Sequence, residues 1–377
     1  MRRIFTAAVL AAALLAAFAS GSAGKPPPGH GHGHGKKHGT PAITVFATGL
    51  NNPRGLTFGP DGYLYVAEGG LGGSHSTVGQ CEQAHGAAAP YTGSVNDPVR
   101  GGRISKVSPA GAVSTVVNAL PSSQTSPALG SLVSGVSSVA FIGNQLYGLL
   151  AGAGCSHGVP EVPNGIIKVG PGGTWSLLAN LSAFIQANPV ANPDDEDFEP
   201  DGTWYSMAAY KGALYPMDSN HGELDRVTQA GAISRVIDIS AKVGHVVPTA
   251  LVHHGVWYIG NLGLFGPPDG TVPNEHVYKL RPNGRLSVRA SGLEQVLGLA
   301  YHGGKLYALE MSTTPGGPTP GTGAIVRVRA GHAAQTIVSG LTFPTGMAIG
   351  RDGTFYVSEH GFGFGPGQGQ IDKITIH

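Results

Sequence analysis

Short runs of alternating apolar and polar residues recur from one end of this chain to the other, and one small pattern stands out within them. A large apolar residue directly precedes a tyrosine at Leu64-Tyr65, Leu146-Tyr147, Leu214-Tyr215, Trp257-Tyr258, Leu306-Tyr307 and Phe355-Tyr356. Half of the 12 tyrosines are used this way, so the tyrosines follow a repeat. Alternation over four to six residues, bounded by Gly, Pro, Asp and Asn, predicts β-strands. The tyrosines are expected to be packing residues between repeats.

The first and last copies agree best. GLNNPRGLTFGPDGYLYVAEGG (49–70) aligns without a gap on GLTFPTGMAIGRDGTFYVSEHG (340–361). In the first copy, Gly55 to Phe58 predicts a strand, Gly59-Pro60-Asp61-Gly62 a turn, and Tyr63 to Ala67 a second strand. The turn residues fit because Asp bonds its own backbone and Gly accepts positive φ. A third and a fourth strand follow in each unit. They are Ile104–Val107 with Val113–Val116, Ile166–Val169 with Trp175–Ala179, Leu224–Val227 with Ile233–Ile237, Val277–Leu280 with Leu286–Arg289, and Ile325–Val328 with Gln335–Val338.

A four-stranded unit repeated six times predicts an all-β fold, a six-bladed β-propeller. The last unit runs out of chain after 371–376. Its missing strand is expected from residues 43–48, which would zip the two ends into one sheet and remove the open edges. Residues 181–186 predict one helical turn. The 61 glycines and 28 prolines suit a turn-rich β chain.

Charge and the N-terminus narrow the setting. Charged residues make up 12% of the chain and the net charge is +1. That gives no basic stripe for nucleic acid. Met1-Arg2-Arg3 and the apolar run to Phe18 predict a signal peptide over 1–23, followed by a Pro/Gly/His-rich linker over 24–42 and the propeller over 43–377. No cysteine lies in the leader for a lipid anchor, and the expected product is a secreted monomer. The linker histidines His30, His32, His34 and His38 read as a polar spacer. Cys81 and Cys155 are the only cysteines. Both follow a second strand in adjacent blades, on one face, so a disulfide is expected, which suits a secreted chain. Closing that loop stabilises the fold by roughly 4 kcal/mol in the chain-entropy model.

Loop lengths locate the candidate chemistry. Connections after the second strand are long (69–101, 151–164, 262–275, 311–323, 361–369), whereas the turns between first and second strands are short. One face is therefore built up, and binding is expected there. The residues ending the second strands are Glu68, Leu150, Asp218, Asn261, Glu310 and Glu359. They are expected to gather around the axis on that face, with Arg54 and His360 beside them as ligand-binding groups. Clustered carboxylates repel unless a proton or cation neutralises them. Glu68, Asp218, Glu310 and Glu359 are therefore the expected ligands of Ca²⁺ or another divalent cation. With His75, His221 and His360 nearby, Zn²⁺ or a transition metal is the alternative. The acidic run Asp194, Asp195, Glu196, Asp197, Glu199 and Asp201 lacks EF-hand spacing and is expected to be a solvated loop. No G-x-S-x-G or phosphate-cradling loop occurs, and no catalytic residue is assigned.

The chain resembles the ScyD/ScyE family of secreted, NHL-like propellers. The matching segments are NPRGLTFGPDGYLYVAEGG (52–70), GGRISKVSPAG (101–111), LPSS (120–123), VPTALV (247–252), VYKLRPNG (277–284) and FPTGMAIGRDGTFYVSEHG (343–361). Asn261, in YIGNLGLFGPP, stands where such proteins carry an acid. The resemblance implies secretion and a propeller, with no settled reaction. The expected function is binding of a small molecule, glycan or protein through the long loops. The alternative is a metal-dependent hydrolase of the gluconolactonase type, or a sugar dehydrogenase, acting at the channel mouth. Absence of a recognisable nucleophile or cofactor motif favours the binding module.

Overall fold

The structure is a computed structural model that describes residues 41–85, 90–125, 132–195, 197–263 and 275–376. The expected leader, nearly all of the linker and Glu196 lie outside these residues. Among the described residues, six four-stranded antiparallel sheets form the ring. Blade 1 is Pro53–Phe58, Leu64–Glu68, Gly102–Val107 and Val113–Leu120. Blade 2 is Val136–Ile142, Gln145–Leu150, Gly165–Val169 and Trp175–Asn180. Blade 3 is Trp204–Tyr210, Ala213–Asp218, Glu223–Thr228 and Ile233–Asp238. Blade 4 is Pro248–His254, Val256–Asn261, His276–Leu280 and Leu286–Ser291. Blade 5 is Val296–His302, Lys305–Glu310, Gly323–Val328 and Gln335–Leu341.

Blade 6 closes the circle. Its inner strands Gly346–Ile349, Phe355–Glu359 and Gly369–Thr375 are completed by Ala42–Leu50 from the other end of the chain. Ala42 pairs with Thr375 and Leu50 with Gly369. The inner strands touch their neighbours in order from blade 1 to blade 6, and blade 6 touches blade 1 again. Side chains cross that last seam: Ser358 Oγ donates to the Arg54 carbonyl at 2.6 Å, and Thr345 Oγ1 to the Pro53 carbonyl at 2.6 Å.

The apolar–tyrosine pairs explain why blades stack. Successive residues of a strand point to opposite faces. Leu64 faces the core shared with blade 6, and Tyr65 faces the core shared with blade 2. Leu146 turns back to that second core, and Tyr147 enters the next. The same handover runs through Leu214 and Tyr215, Trp257 and Tyr258, Leu306 and Tyr307, and Phe355 and Tyr356. Each pair therefore serves two interblade cores. Each fully buried Leu or aromatic side chain contributes about 1.5–3 kcal/mol.

The helix Leu181–Ala187 follows blade 2, capped by Asn180 Oδ1 accepting from Ala183 N at 2.9 Å. It buries Leu181 and Ile185 in the core between blades 2 and 3. A further three-stranded sheet of Thr92–Ser94, Ser122–Gln124 and Val133–Ser134 stands on the long-loop face, where the alternation pattern predicts no strands. Its strands are too short to carry a period. Cys81 and Cys155 are bonded, with Cα atoms 6.1 Å apart.

Candidate functional site

The six second strands end at Glu68, Leu150, Asp218, Asn261, Glu310 and Glu359, as their alternation indicates. The structure does not turn them toward the channel. All six are at most 4% exposed. Each polar one grips the loop that leads into the inner strand of its own blade. Glu68 Oε2 accepts from Asn51 N at 2.6 Å, Glu310 Oε1 from Glu294 N at 2.7 Å, and Glu359 Oε1 from Thr342 N at 3.0 Å. Asp218 Oδ1 accepts from Thr203 N at 3.3 Å. Asn261 does the mirror image, donating to the Val246 carbonyl at 2.9 Å.

Local backbone geometry explains the need. The lead-in loops turn through the left-handed region at Asn52 (φ 48°), Val247 (φ 52°), Gln295 (φ 44°) and Phe343 (φ 47°). Non-glycine residues pay of order 1–3 kcal/mol there. In these four blades the gripped group belongs to the residue immediately before the left-handed one. A carboxylate or amide at the strand end thus satisfies a buried backbone group that the sheet ladder leaves unpaired.

The four carboxylates expected to share a cation are therefore held apart, each in its own blade. Among the described residues no three His, Cys, Asp or Glu side chains form a metal-ligand group. The groups that perturb each acid are local. Burial, with a contribution from Glu294, pushes Glu310 up to about 7. Burial and the charge of Asp372 push Glu359 up to about 8. Glu68 instead meets Arg103 Nε at 2.7 Å and Ser105 Oγ at 2.5 Å. His360 stands off the acids, with its ring stacked on Phe364 at 4.3 Å and Nδ1 3.1 Å from the Gln368 carbonyl.

Arg54 does lie at the mouth. It is half-buried at the start of the blade 1 inner strand. Its Nη1 donates to the Gly361 carbonyl, and its Nη2 to the Val133 carbonyl at 2.8 Å. Gly361 must be glycine, since a Cβ there would sit 2.6 Å from the Pro53 carbonyl. No carboxylate pairs with Arg54 among the described residues. Burial lowers its pKa, an effect that the phenol of Tyr205 opposes. Burial pushes Tyr205 up to about 12, so that phenol is neutral.

Tyr205 is a site residue that the sequence pattern conceals, because Trp204-Tyr205 looks like the other apolar–tyrosine pairs. It sits in an inner strand, where Tyr205 points to the axis. Its hydroxyl donates to the Thr345 carbonyl at 2.9 Å, on blade 6, the sheet opposite its own. The ring is therefore a bar across the channel. Along the inner strands lies a cavity of about 400 Å³ that Tyr205, Ser138, Met207, Leu297 and Met347 help to line. Around Tyr205, Leu297, Met311 and Phe343 form an apolar cluster with Leu262, Phe362 and Phe364 half-buried against it.

The acidic run is only partly a solvated loop. Its end is built in: Glu199 Oε1 accepts from Tyr91 OH at 2.7 Å, and Asp201 Oδ2 accepts from Ser156 N at 2.8 Å and Ser156 Oγ at 2.7 Å. Both residues are buried. These bonds dock the long connections of blades 1 and 2 onto blade 3. Solvent can hold a carboxylate in place only weakly, whereas here each finds donors from another insertion. His75 belongs to the same docking, with Nδ1 2.7 Å from the Gly158 carbonyl.

No family model matches this chain, and no curated protein matches it in sequence. Solved structures match it in fold. A Thermus thermophilus protein described as an oxidoreductase (glucose dehydrogenase) is 15% identical, with a TM-score of 0.54 over 89% of this chain and 100% of that one. The PQQ-bound aldose sugar dehydrogenase of Streptomyces coelicolor is 13% identical, with a TM-score of 0.54 over 90% and 99%. A protein of unknown function from Bacteroides thetaiotaomicron is 10% identical, with a TM-score of 0.54 over 90% and 76%. At these identities the likeness speaks to architecture alone: the chain is a β-propeller.

Proposed function

We propose that this chain is a secreted, ScyD/ScyE-like propeller that binds a small organic anion with an apolar body at the mouth of its axial channel. One observation carries the reading: Arg54 is a recessed cation with no carboxylate partner among the described residues, beside an apolar wall. Among the described residues, two of its five N–H donors are used, both on backbone carbonyls. Holding a half-buried cation without a counter-charge is costly, and an incoming carboxylate removes that cost while pairing with the planar fork. Phe343, Phe362 and Leu262 would take the apolar part. The Cys81–Cys155 bond supports an oxidising compartment. A metal-dependent hydrolase would draw its ligands from carboxylates that stay inside their blades here.

The test is calorimetric titration with phenylacetate and with 2-phenylethanol, its neutral counterpart. Phenylacetate should bind more tightly, and Arg54→Gln should weaken it by about tenfold to a hundredfold. The variant should keep the wild-type melting curve to within a few degrees. Equal binding of acid and alcohol, or undiminished binding by the variant, would refute the reading.

A further inference from the structure

A second cavity, of about 390 Å³, opens between blades 2 and 3, away from the axis. Its walls include Ile185 from the helix after blade 2, Val190, Phe198 and the Cys81–Cys155 bond. Glu82, Gln186, Asp201 and His221 are its polar lining, and the last two are anchored from behind. His221 Nδ1 is held by Asp218 Oδ2 at 2.8 Å, and the edge of the His221 ring packs against Phe198 at 5.3 Å. Asp201 spends Oδ2 on Ser156 N and Oγ. His221 Nε2 and Asp201 Oδ1 take no hydrogen bond from the described residues. Both residues are over nine-tenths buried, His221 at 5% and Asp201 at 8% exposed.

We propose that this cavity is a second ligand site, for a neutral, mostly apolar molecule carrying one hydroxyl, a phenol being the simplest case. The hydroxyl oxygen accepts from His221 Nε2–H, and its proton is donated to Asp201 Oδ1. That pairing satisfies both anchored groups at once. A carboxylate would meet Asp201 and Glu82 in the same lining, and an ammonium has no acceptor for His221 Nε2–H, so a hydroxyl fits the pair best. Burial opposes the charged imidazole, but Asp218, Glu223 and Glu199 outweigh it and raise His221 above its ordinary value, which favours the form with a proton on Nε2. Asp218 acts here as a positioning residue. It fixes the ring, and it does not face the ligand.

The probe is p-cresol, titrated into the whole protein and followed by isotope-edited NMR. Contacts from the cresol methyl and ring to Ile185 and Val190 methyl groups are expected. 4-Methylanisole keeps the shape but has no hydroxyl proton, and toluene has no oxygen. Both should bind about tenfold more weakly, as should p-cresol to His221→Phe. Arg54→Gln should leave cresol binding unchanged, which separates this site from the channel mouth. If His221→Phe does not fold, the cresol–anisole comparison on the wild-type protein decides. Equal affinity for cresol and anisole, no binding, or contacts confined to Leu262 and Phe362 would overturn the proposal.

Discussion

Blades 1 and 6 carry the best-matched copies of the repeat, yet they neutralise the same acid in opposite ways. Glu68 and Glu359 occupy equivalent positions and grip equivalent lead-in amides, those of Asn51 and Thr342. Across the sheet, blade 1 offers Arg103 opposite Glu68 and Ser105 two residues on. Blade 6 offers Gln370 opposite Glu359 and Asp372 two residues on. Gln370 donates to Asp372 at 2.8 Å, and Asp372 pushes Glu359 upward. Glu68 is thus paired with an arginine and a serine hydroxyl, while Glu359, pushed up to about 8, is held as an acid that keeps its proton. Blade 3 is the extreme case. There Glu223 and Asp225 follow Asp218; burial and the charge of Asp218 push Glu223 upward, and burial and the charge of Glu223 push Asp225 upward. The repeat specifies the grip, and the third strand, which lies outside the matching copies, decides the charge.

The comparison can be broken at its strongest point first. Glu68→Ala strands the Arg103 guanidinium, and it should cost on the order of 3–5 kcal/mol in chemical denaturation. A loss below about 1 kcal/mol, the range of an exposed pair, would mean that the pairing is incidental.

Glu359 makes the next prediction. Its folded pKa, about 8, lies above its unfolded value, so the folded state holds the extra proton between those limits. Its contribution is therefore complete in acid and is lost as the pH rises from about 5 to about 8. Glu359→Gln should be nearly neutral at pH 5 and stabilising by a few kcal/mol, on the order of the linkage expected for such a group, at pH 9. Parallel stability–pH curves for variant and wild type would contradict the assignment.

A graft sharpens the comparison further. Gln370→Arg with Asp372→Ser copies the blade 1 surroundings into blade 6. The Glu359 carboxyl, followed by carbon NMR, should then titrate lower by roughly 1–3 pH units. An unmoved midpoint would show that burial alone sets it.

Much of the molecule is legible before any coordinate. The apolar–tyrosine pairs reveal the blades because strand alternation is a property of neighbouring residues. Ring closure and the disulfide follow from counting strands and asking which side each loop must fall on. The six strand-end residues lie at their expected positions, but their side chains take a direction that the sequence does not show. A carboxylate at the end of a strand reads the same whether it faces a wet axis or an amide 16 or 17 residues upstream. Tyr205 is hidden for a related reason, since a pair that packs between blades in a second strand bars the channel from an inner one. The small sheet that joins Thr92–Ser94 to Val133–Ser134 leaves no pattern to read.

By itself, then, the order of residues determined the strands, their grouping into six repeats and the joining of the two ends, because those depend on local periodicity and on pairing that a sheet cannot leave undone. Only the packed molecule decided which acids meet arginine, which keep a proton, and that Arg54 should face Tyr205. Those outcomes hang on contacts between strands far apart in sequence, and on burial that exists only once the ring has closed.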